Sequence, residues 1–228
     1  REQTADEYGI FVRSLFEASG IDPTRIEGVA IASVVPSLTS VLVALSEKYL
    51  NREPLVVEPG VRTGMPILYE PPGDVGADRI VNGVAAFAAY GGPVVVVDFG
   101  TATTFDVVTR KGEYAGGVIC PGVGISADAL FQRAAKLPRV DVRNPGRVIG
   151  RSTVGSIQSG LYFGYAAMVD GIISRIQVEL QESVHVVATG GLAETLAGEI
   201  SSIEAVDPVL TLTGLRLIWE RNRPAQRV

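Results

Sequence analysis

The sequence predicts an α/β architecture built from two related halves, and three patterns support it. Helical and strand periodicities alternate through the first 58 residues. A fully apolar run, Val94-Val95-Val96-Val97, then opens three strand-like segments joined by connections too short for crossover helices. After them the alternation resumes, so the second half reads βββα followed by βαβα, and the first half ends in the same order without the opening strands.

Each element has its own signal. Thr4 and Glu7 form a capping box ahead of Tyr8, Phe11, Val12, Leu15 and Phe16, the spacing of an amphipathic helix that stops at Gly20. Residues 28–34 read as a buried strand, 37–50 as a helix with Leu38, Val41, Leu42, Leu45 and Tyr49 inward, and 55–58 as a second strand. A loop rich in Gly and Pro fills 59–77, and a helix covers 78–90 before Gly91-Gly92-Pro93 ends it. Strands at 94–98, 103–109 and 113–120 form an antiparallel meander. Helices follow at 125–135 and 153–182, then a strand at 184–188, a short helix after Gly191, a strand at 203–206 and a last helix to Asn222. The expected domains are 1–92 and 93–228, with the last helix packing back on the first domain.

Composition narrows the function. Of 228 residues, 46% are hydrophobic and 20% charged, enough apolar material for a packed core. Lys plus Arg number 20 against 25 for Asp plus Glu, a net charge of −5 with no basic block, so nucleic acid is not an expected partner. One cysteine, Cys120, excludes an internal disulfide, and one histidine, His185, leaves too little for a zinc site or a His-centred triad. Acid–base work therefore falls to carboxylates. His185 heads a buried strand and is expected to pack rather than react. Two uncharged stretches, 29–46 and 80–97, reach membrane-spanning length, but Pro36 and several hydroxyl residues break the first, and Asn82 and Gly91-Gly92-Pro93 break the second. Arg1-Glu2-Gln3 resembles neither the basic head nor the apolar core of a signal peptide, so a cytoplasmic location is expected, with a preceding segment missing.

Glycine is 26 of 228 residues, about 11% against a usual ~7%, and it concentrates where chemistry is expected. Asp98-Phe99-Gly100-Thr101-Ala102-Thr103 lies where an apolar strand ends. It reads either as an ordinary hairpin with a capping Asp or as an anion loop. In the second reading Gly100 lets the backbone approach phosphate, Thr101 adds a hydroxyl and Asp98 holds a cation. Ala188-Thr189-Gly190-Gly191 runs from a buried strand through glycines into a helix, a geometry suited to an adenine or ribose on bare backbone and also common in α/β folds generally. Gly76-Ala77-Asp78-Arg79 opens a helix. Asp78 is either its N-cap beside a solvated Arg79, or a proton acceptor beside a guanidinium that grips a carboxylate. Tyr69 covers the core or a ligand, and Thr153 starts its helix or touches substrate. Gly160 and Gly164, with Tyr162, Phe163, Tyr165 and Met168, point to close helix packing within the chain or across a dimer.

Taken in order, Tyr69-Glu70-Pro71-Pro72, Val75 to Asn82, Val97 to Thr104, Gly116-Gly117-Val118-Ile119 with Pro121-Gly122, Gly150-Arg151-Ser152-Thr153, Ala188 to Gly191 and Leu212 to Arg216 resemble the motifs of the type III pantothenate kinases over essentially the whole chain. The resemblance implies two ribonuclease-H-like domains with mixed sheets flanked by helices and ATP in a cleft between them, as in acetate and sugar kinases, Hsp70 and actin. It implies phosphorylation of pantothenate by ATP, the first step of coenzyme A biosynthesis, by a homodimer. By motif, the catalytic base falls on Asp78, and Tyr69, Gly76, Ala77, Asp78, Arg79 and Thr153 bind pantothenate. Gly100, Thr101, Gly190 and Gly191 bind ATP, which brings a divalent cation (Mg), and Asp98 holds a monovalent cation, potassium or ammonium.

The family opens with a strand-turn-strand bearing Asp-x-Gly-Asn-Thr, its first phosphate loop, and nothing like it precedes Thr4. The expectation is that the ATP site is half present in these 228 residues and that they alone turn over little. The connections around Ser183 and Glu199 are also short for the family. Two other readings stand beside the kinase. One is a non-catalytic regulator on the same fold, favoured by the missing loop and opposed by intact Asp78, Arg79, Asp98 and Thr101. The other is a sugar or acetate kinase, disfavoured by the short chain.

Overall fold

The computed structural model describes residues 3–134 and 136–223. Ala135, the expected end of the fourth helix, and Arg1 and Glu2 of the leading triplet lie outside them. The chain divides into two units. One comprises the described residues of Arg1–Gly64, Glu70–Val84 and Thr211–Val228, the other those of Met65–Tyr69 and Ala85–Leu210.

In the first unit, helix α1 (Ala5–Ala18) starts with the expected capping box, Thr4 and Glu7 serving each other's backbone N–H. Its inward face differs from the periodic reading. Phe11 and Leu15 are 59% and 48% exposed, whereas Gly9 is buried. A Cβ on Gly9 would run into the Tyr49 ring, so the helix turns its smallest residue to the point of closest contact. Lys48 Nζ and Tyr49 Oη both donate to Asp6, at 2.6 and 2.9 Å, and hold its carboxyl below the usual range. Helix α2 (Pro36–Leu45) has Pro at its first position and passes into a wider turn, Ser46–Leu50, closed by Asn51 at φ 51°.

Strands β1 (Ala30–Ile31) and β2 (Leu55–Val56) pair in parallel, Ala30 opposite Leu55 and Ile31 opposite Val56. The first is far shorter than the expected 28–34. Gly28 packs against Trp219, where a Cβ would overlap the indole, and Ser33 folds its hydroxyl onto Val35, so neither end continues the ladder. Helix α3 (Ala77–Tyr90) and helix α7 (Leu210–Asn222) meet at Gly214. A Cβ there would strike the Val81 carbonyl oxygen and lie 2.7 Å from Val81 Cγ1. Beside this contact Thr211 Oγ1 donates to Asn82 Oδ1 at 2.7 Å.

The second unit is a five-stranded mixed sheet. Strands β3 (Val94–Phe99), β4 (Ala102–Val108) and β5 (Tyr114–Pro121) form the expected meander, and β6 (His185–Thr189) and β7 (Ala205–Val206) add in parallel, giving the order β5-β4-β3-β6-β7. That order, with the second strand of the run antiparallel, is the ribonuclease-H-like one. Val94 to Val97 are all 0% exposed because β3 is central and covered on both faces. Helices α4 (Val123–Arg133), α5 (Thr153–Leu180) and α6 (Ala193–Ala197) contribute to one core with Val95, Val97, Phe105, Leu161, Val169, Ile173 and Leu196. Within α5, Gln158 Nε2 donates to the Asp141 carbonyl at 3.2 Å and Ser159 Oγ to that of Val148, tying the preceding loop to the helix. Among the described residues no helix is long and apolar enough to cross a membrane.

Asp170 joins α5 to the turn before β7. It accepts from Ser201 N–H at 3.2 Å, Ser201 Oγ at 2.9 Å and Ser202 N–H at 2.9 Å. Burial pushes its carboxyl up, but the bonds from Ser202 and Ser201 outweigh burial and hold it below the ordinary value. A depressed carboxylate stabilises the fold above its unfolded pKa, about 3.9, and ceases to do so as pH falls through the lower folded value. Asp170→Ala is therefore expected to lower Tm at pH 7, with the gap from wild type closing below about pH 4. Thermal melts across pH 2–7 that keep a constant gap would contradict this.

Candidate active site

The carboxyl end of β3 is the first place where the central strand stops being apolar. Asp98, half-buried, sits opposite Thr104 on β4 and Thr189 on β6. Beyond it the Gly100 N–H donates to the Ala102 carbonyl at 3.0 Å and closes a turn that leaves Gly100 and Thr101 exposed. A Cβ on Gly100 would make only ordinary contacts, 3.5 Å to Asp98 Oδ1 and 3.6 Å to Ala102 O. Packing within the chain does not require glycine there, so its use is open backbone in front of the turn. Because β3 and β6 are parallel with Asp98 beside Thr189, Gly190 and Gly191 leave β6 next to the Asp98 turn, the end of a parallel pair where ligands bind in open α/β sheets.

These two glycines differ. Gly190 has φ +92°, and a Cβ would overlap Asp98 Oδ1 and lie 2.7 Å from Phe99 N, so the loop lies directly against the end of β3. Gly191 has nothing within 4 Å of its Cβ position and presents bare backbone outward. Gly122 makes a second close approach at this end of the sheet. Its N–H donates to the Thr101 carbonyl at 3.1 Å, and a Cβ would lie 2.7 Å from the Gly100 carbonyl oxygen, so the Pro121-Gly122 turn is packed directly onto the Gly100-Thr101 turn.

In the first unit, α3 begins at Ala77, which puts Asp78 inside its first turn rather than at the N-cap. Its Oδ1 accepts from the Arg79 N–H at 2.9 Å. A Cβ on Gly76 would lie 2.5 Å from that oxygen and 3.3 Å from Val34 Cγ1, so glycine is what leaves the Asp78 carboxylate its place. Arg79 is 9% exposed and is not the solvated residue of the plainer reading.

Tyr69 belongs to the second unit. Leu68 N–H donates to the Tyr114 carbonyl at 2.9 Å, and the Tyr69 and Tyr114 rings stand 6.5 Å apart. Tyr114 Oη donates to Asp106 Oδ1 at 2.8 Å and Thr104 Oγ1 to Asp106 Oδ2 at 3.1 Å, a fully buried carboxylate that sequence reasoning did not single out. Its signal was a charged residue flanked by Phe105 and Val107 inside a strand. Thr153 is the first residue of α5, with Ser152 as N-cap accepting from Gly155 N–H at 3.1 Å. Gly160 and Gly164 have nothing within 4 Å of their Cβ positions, so no close helix contact among the described residues uses them. His185 is exposed rather than packed, its Nδ1 2.8 Å from Glu204 Oε2. Among the described residues no group of three or more His, Cys, Asp or Glu is arranged to hold a metal.

Fold and comparisons with known proteins define the class first: a kinase on a ribonuclease-H-like α/β scaffold. A family model described as type III pantothenate kinase matches residues 1–175. The type III pantothenate kinase of Moorella thermoacetica is 56% identical over 222 residues, covering 97% of this chain and 87% of that protein. Its counterpart in Myxococcus xanthus is 58% identical, covering 96% and 86%. The chain belongs to the type III pantothenate kinase family. Among solved structures, that of a Baf family transcriptional activator from Campylobacter jejuni superposes with TM-score 0.59 at 19% identity over 92% of this chain and 88% of that one, a likeness of fold alone.

Proposed function

We propose that the protein transfers the γ-phosphoryl group of ATP to the primary hydroxyl of pantothenate, giving 4′-phosphopantothenate, the first step of coenzyme A biosynthesis. The observation that carries this reading is identity of 56% to a type III pantothenate kinase across 97% of the chain. Asp78 orients the substrate hydroxyl and accepts its proton late, since a loose phosphoryl-transfer transition state needs little activation of the nucleophile. Arg79 grips the pantothenate carboxylate, a planar fork meeting a planar acceptor, and Tyr69, Gly76, Ala77 and Thr153 line the same substrate. Gly100 and Thr101 meet the ATP phosphates, and Gly190 and Gly191 the adenosine. The exposed turn at Gly100 and the open Cβ position at Gly191 support that assignment.

Asp98 fits a monovalent cation, potassium or ammonium. It is one carboxylate between two threonine-bearing strands, and among the described residues it is not part of the clustered ligands a transition metal takes. A divalent cation (Mg) travels with the nucleotide, and the two ions supply positive charge beside the phosphates. The protein acts in the cytoplasm, where ATP is available, as a homodimer, for which the open glycine face of α5 leaves room.

The test is product formation from labelled ATP with potassium or ammonium titrated in wild type and Asp98→Asn. The neutral amide is expected to flatten the cation response and raise the KM for ATP. An unchanged cation titration would remove Asp98 from the site, and failure of wild-type protein carrying the family's first phosphate loop to phosphorylate pantothenate would overturn the function.

A further inference from the structure

Tyr165 and Ser126 form a hydrogen-bonded chain to the back of the Gly100-Thr101 turn, and neither has a place in the mechanism above. Tyr165 Oη lies 2.9 Å from the Pro121 carbonyl oxygen and 2.6 Å from Ser126 Oγ. A phenol has one proton and a carbonyl has none, so Tyr165 donates to Pro121 and Ser126 donates to Tyr165. The order Ser126 to Tyr165 to Pro121 is a cooperative chain in which each bond polarises the next.

The next residue connects the chain to the turn. Gly122 N–H donates to the Thr101 carbonyl at 3.1 Å, and the Gly122 Cα lies so close to Gly100 and Thr101 that a Cβ would overlap both carbonyl oxygens. A shift of the Pro121-Gly122 peptide therefore displaces Thr101 directly, with no slack between them. That peptide is held on one side by its Gly122 N–H on Thr101 and on the other by the Tyr165 hydroxyl on its Pro121 carbonyl. Tyr165 comes from the middle of the 28-residue helix α5, a rigid anchor, and Ser126 from the first turn of α4, whose N–H donates to the Gly122 carbonyl at 3.0 Å. Two helices thus hold two successive peptides, α5 through the Pro121 carbonyl and α4 through the Gly122 carbonyl.

We infer that Tyr165, supported by Ser126, is a positioning residue for ATP: through Pro121 and Gly122 it holds the Gly100-Thr101 turn where that turn meets the nucleotide phosphates. This rests on the proposed role of Thr101. The geometry makes the effect selective, because the chain ends on the turn assigned to ATP and touches none of the residues assigned to pantothenate.

The experiment measures KM for each substrate, binding of a non-hydrolysable ATP analogue and Tm for Tyr165→Phe, Ser126→Ala and Thr101→Ala in the full chain. Tyr165→Phe keeps the ring and removes both hydrogen bonds of the hydroxyl, the one to Pro121 and the one from Ser126. It is expected to raise the KM for ATP and the Kd of the analogue about fivefold, with the KM for pantothenate unchanged. Ser126→Ala leaves the bond to Pro121 in place and should shift the same two quantities less. If Tyr165→Phe raises both KM values alike, or lowers only Tm, the hydroxyl is a structural strut and the inference falls while a response of Thr101→Ala keeps the ATP reading. If Thr101→Ala leaves ATP binding unchanged, the ATP reading fails and the inference fails with it.

Discussion

Asp78→Asn is expected to lower kcat by roughly 100-fold or more while the KM for pantothenate changes little. The substitution preserves shape and one acceptor oxygen, so the bond from Arg79 N–H, 2.9 Å in the native chain, can still form and α3 still starts at Ala77. The amide cannot take the substrate proton. A helix-start role alone predicts the opposite pattern, a modest loss of stability and unchanged turnover. Arg79→Lys provides the contrast within the same turn. It keeps the charge and loses the two-pronged geometry, so the effect should fall mainly on the KM for pantothenate and shrink for an analogue without the carboxylate. Near wild-type kcat in Asp78→Asn, or equal losses on both substrates in Arg79→Lys, would leave the segment with a helix-start role alone.

Gly190→Ala should be among the more damaging single methyls in the second unit. At φ +92° an L side chain is strained, and its Cβ would lie 2.7 Å from the Phe99 nitrogen and overlap the Asp98 carboxylate. Neither the β3 backbone nor the parallel β6 ladder can give way cheaply. A loss of about 3 kcal/mol or more in chemical denaturation is expected, together with a weakened monovalent-cation response as Asp98 moves. Gly191→Ala separates stability from binding. Its Cβ meets nothing within 4 Å, so stability should stay within about 0.5 kcal/mol while ATP binding weakens where adenosine would lie on the bare backbone. Equal destabilisation by the two substitutions would show that the loop does not lie against β3 as described.

Local signals carried much of this. The capping box at Thr4, the apolar run that became β3, the meander and the glycine turns at Gly100 and Gly190 are each written in a few consecutive residues, as were the motifs that marked the family. Errors arose where a neighbour distant in sequence decided the outcome. Periodicity put Phe11 and Leu15 on the inner face of α1, but Tyr49 selects Gly9 as the contact point. A strand was expected through Gly28, and Trp219 occupies that ground instead. His185 heads its strand as expected, yet it is exposed opposite Glu204 because the strand end lies at the surface.

The candidate site divides in the same way. By itself the sequence marked the candidates for chemistry, since Asp78, Arg79, Asp98 and Thr101 stand in motifs whose glycines and strand ends can be read in order. Only the tertiary structure decided that Asp98 lies beside Thr189, that Gly190 serves the fold while Gly191 faces outward, and that Tyr165 reaches Pro121. The physical reason is that a hydrophobic period records which side of an element faces inward. It does not record the register between β3 and β6, which is set by the packing of side chains and backbone far apart along the chain.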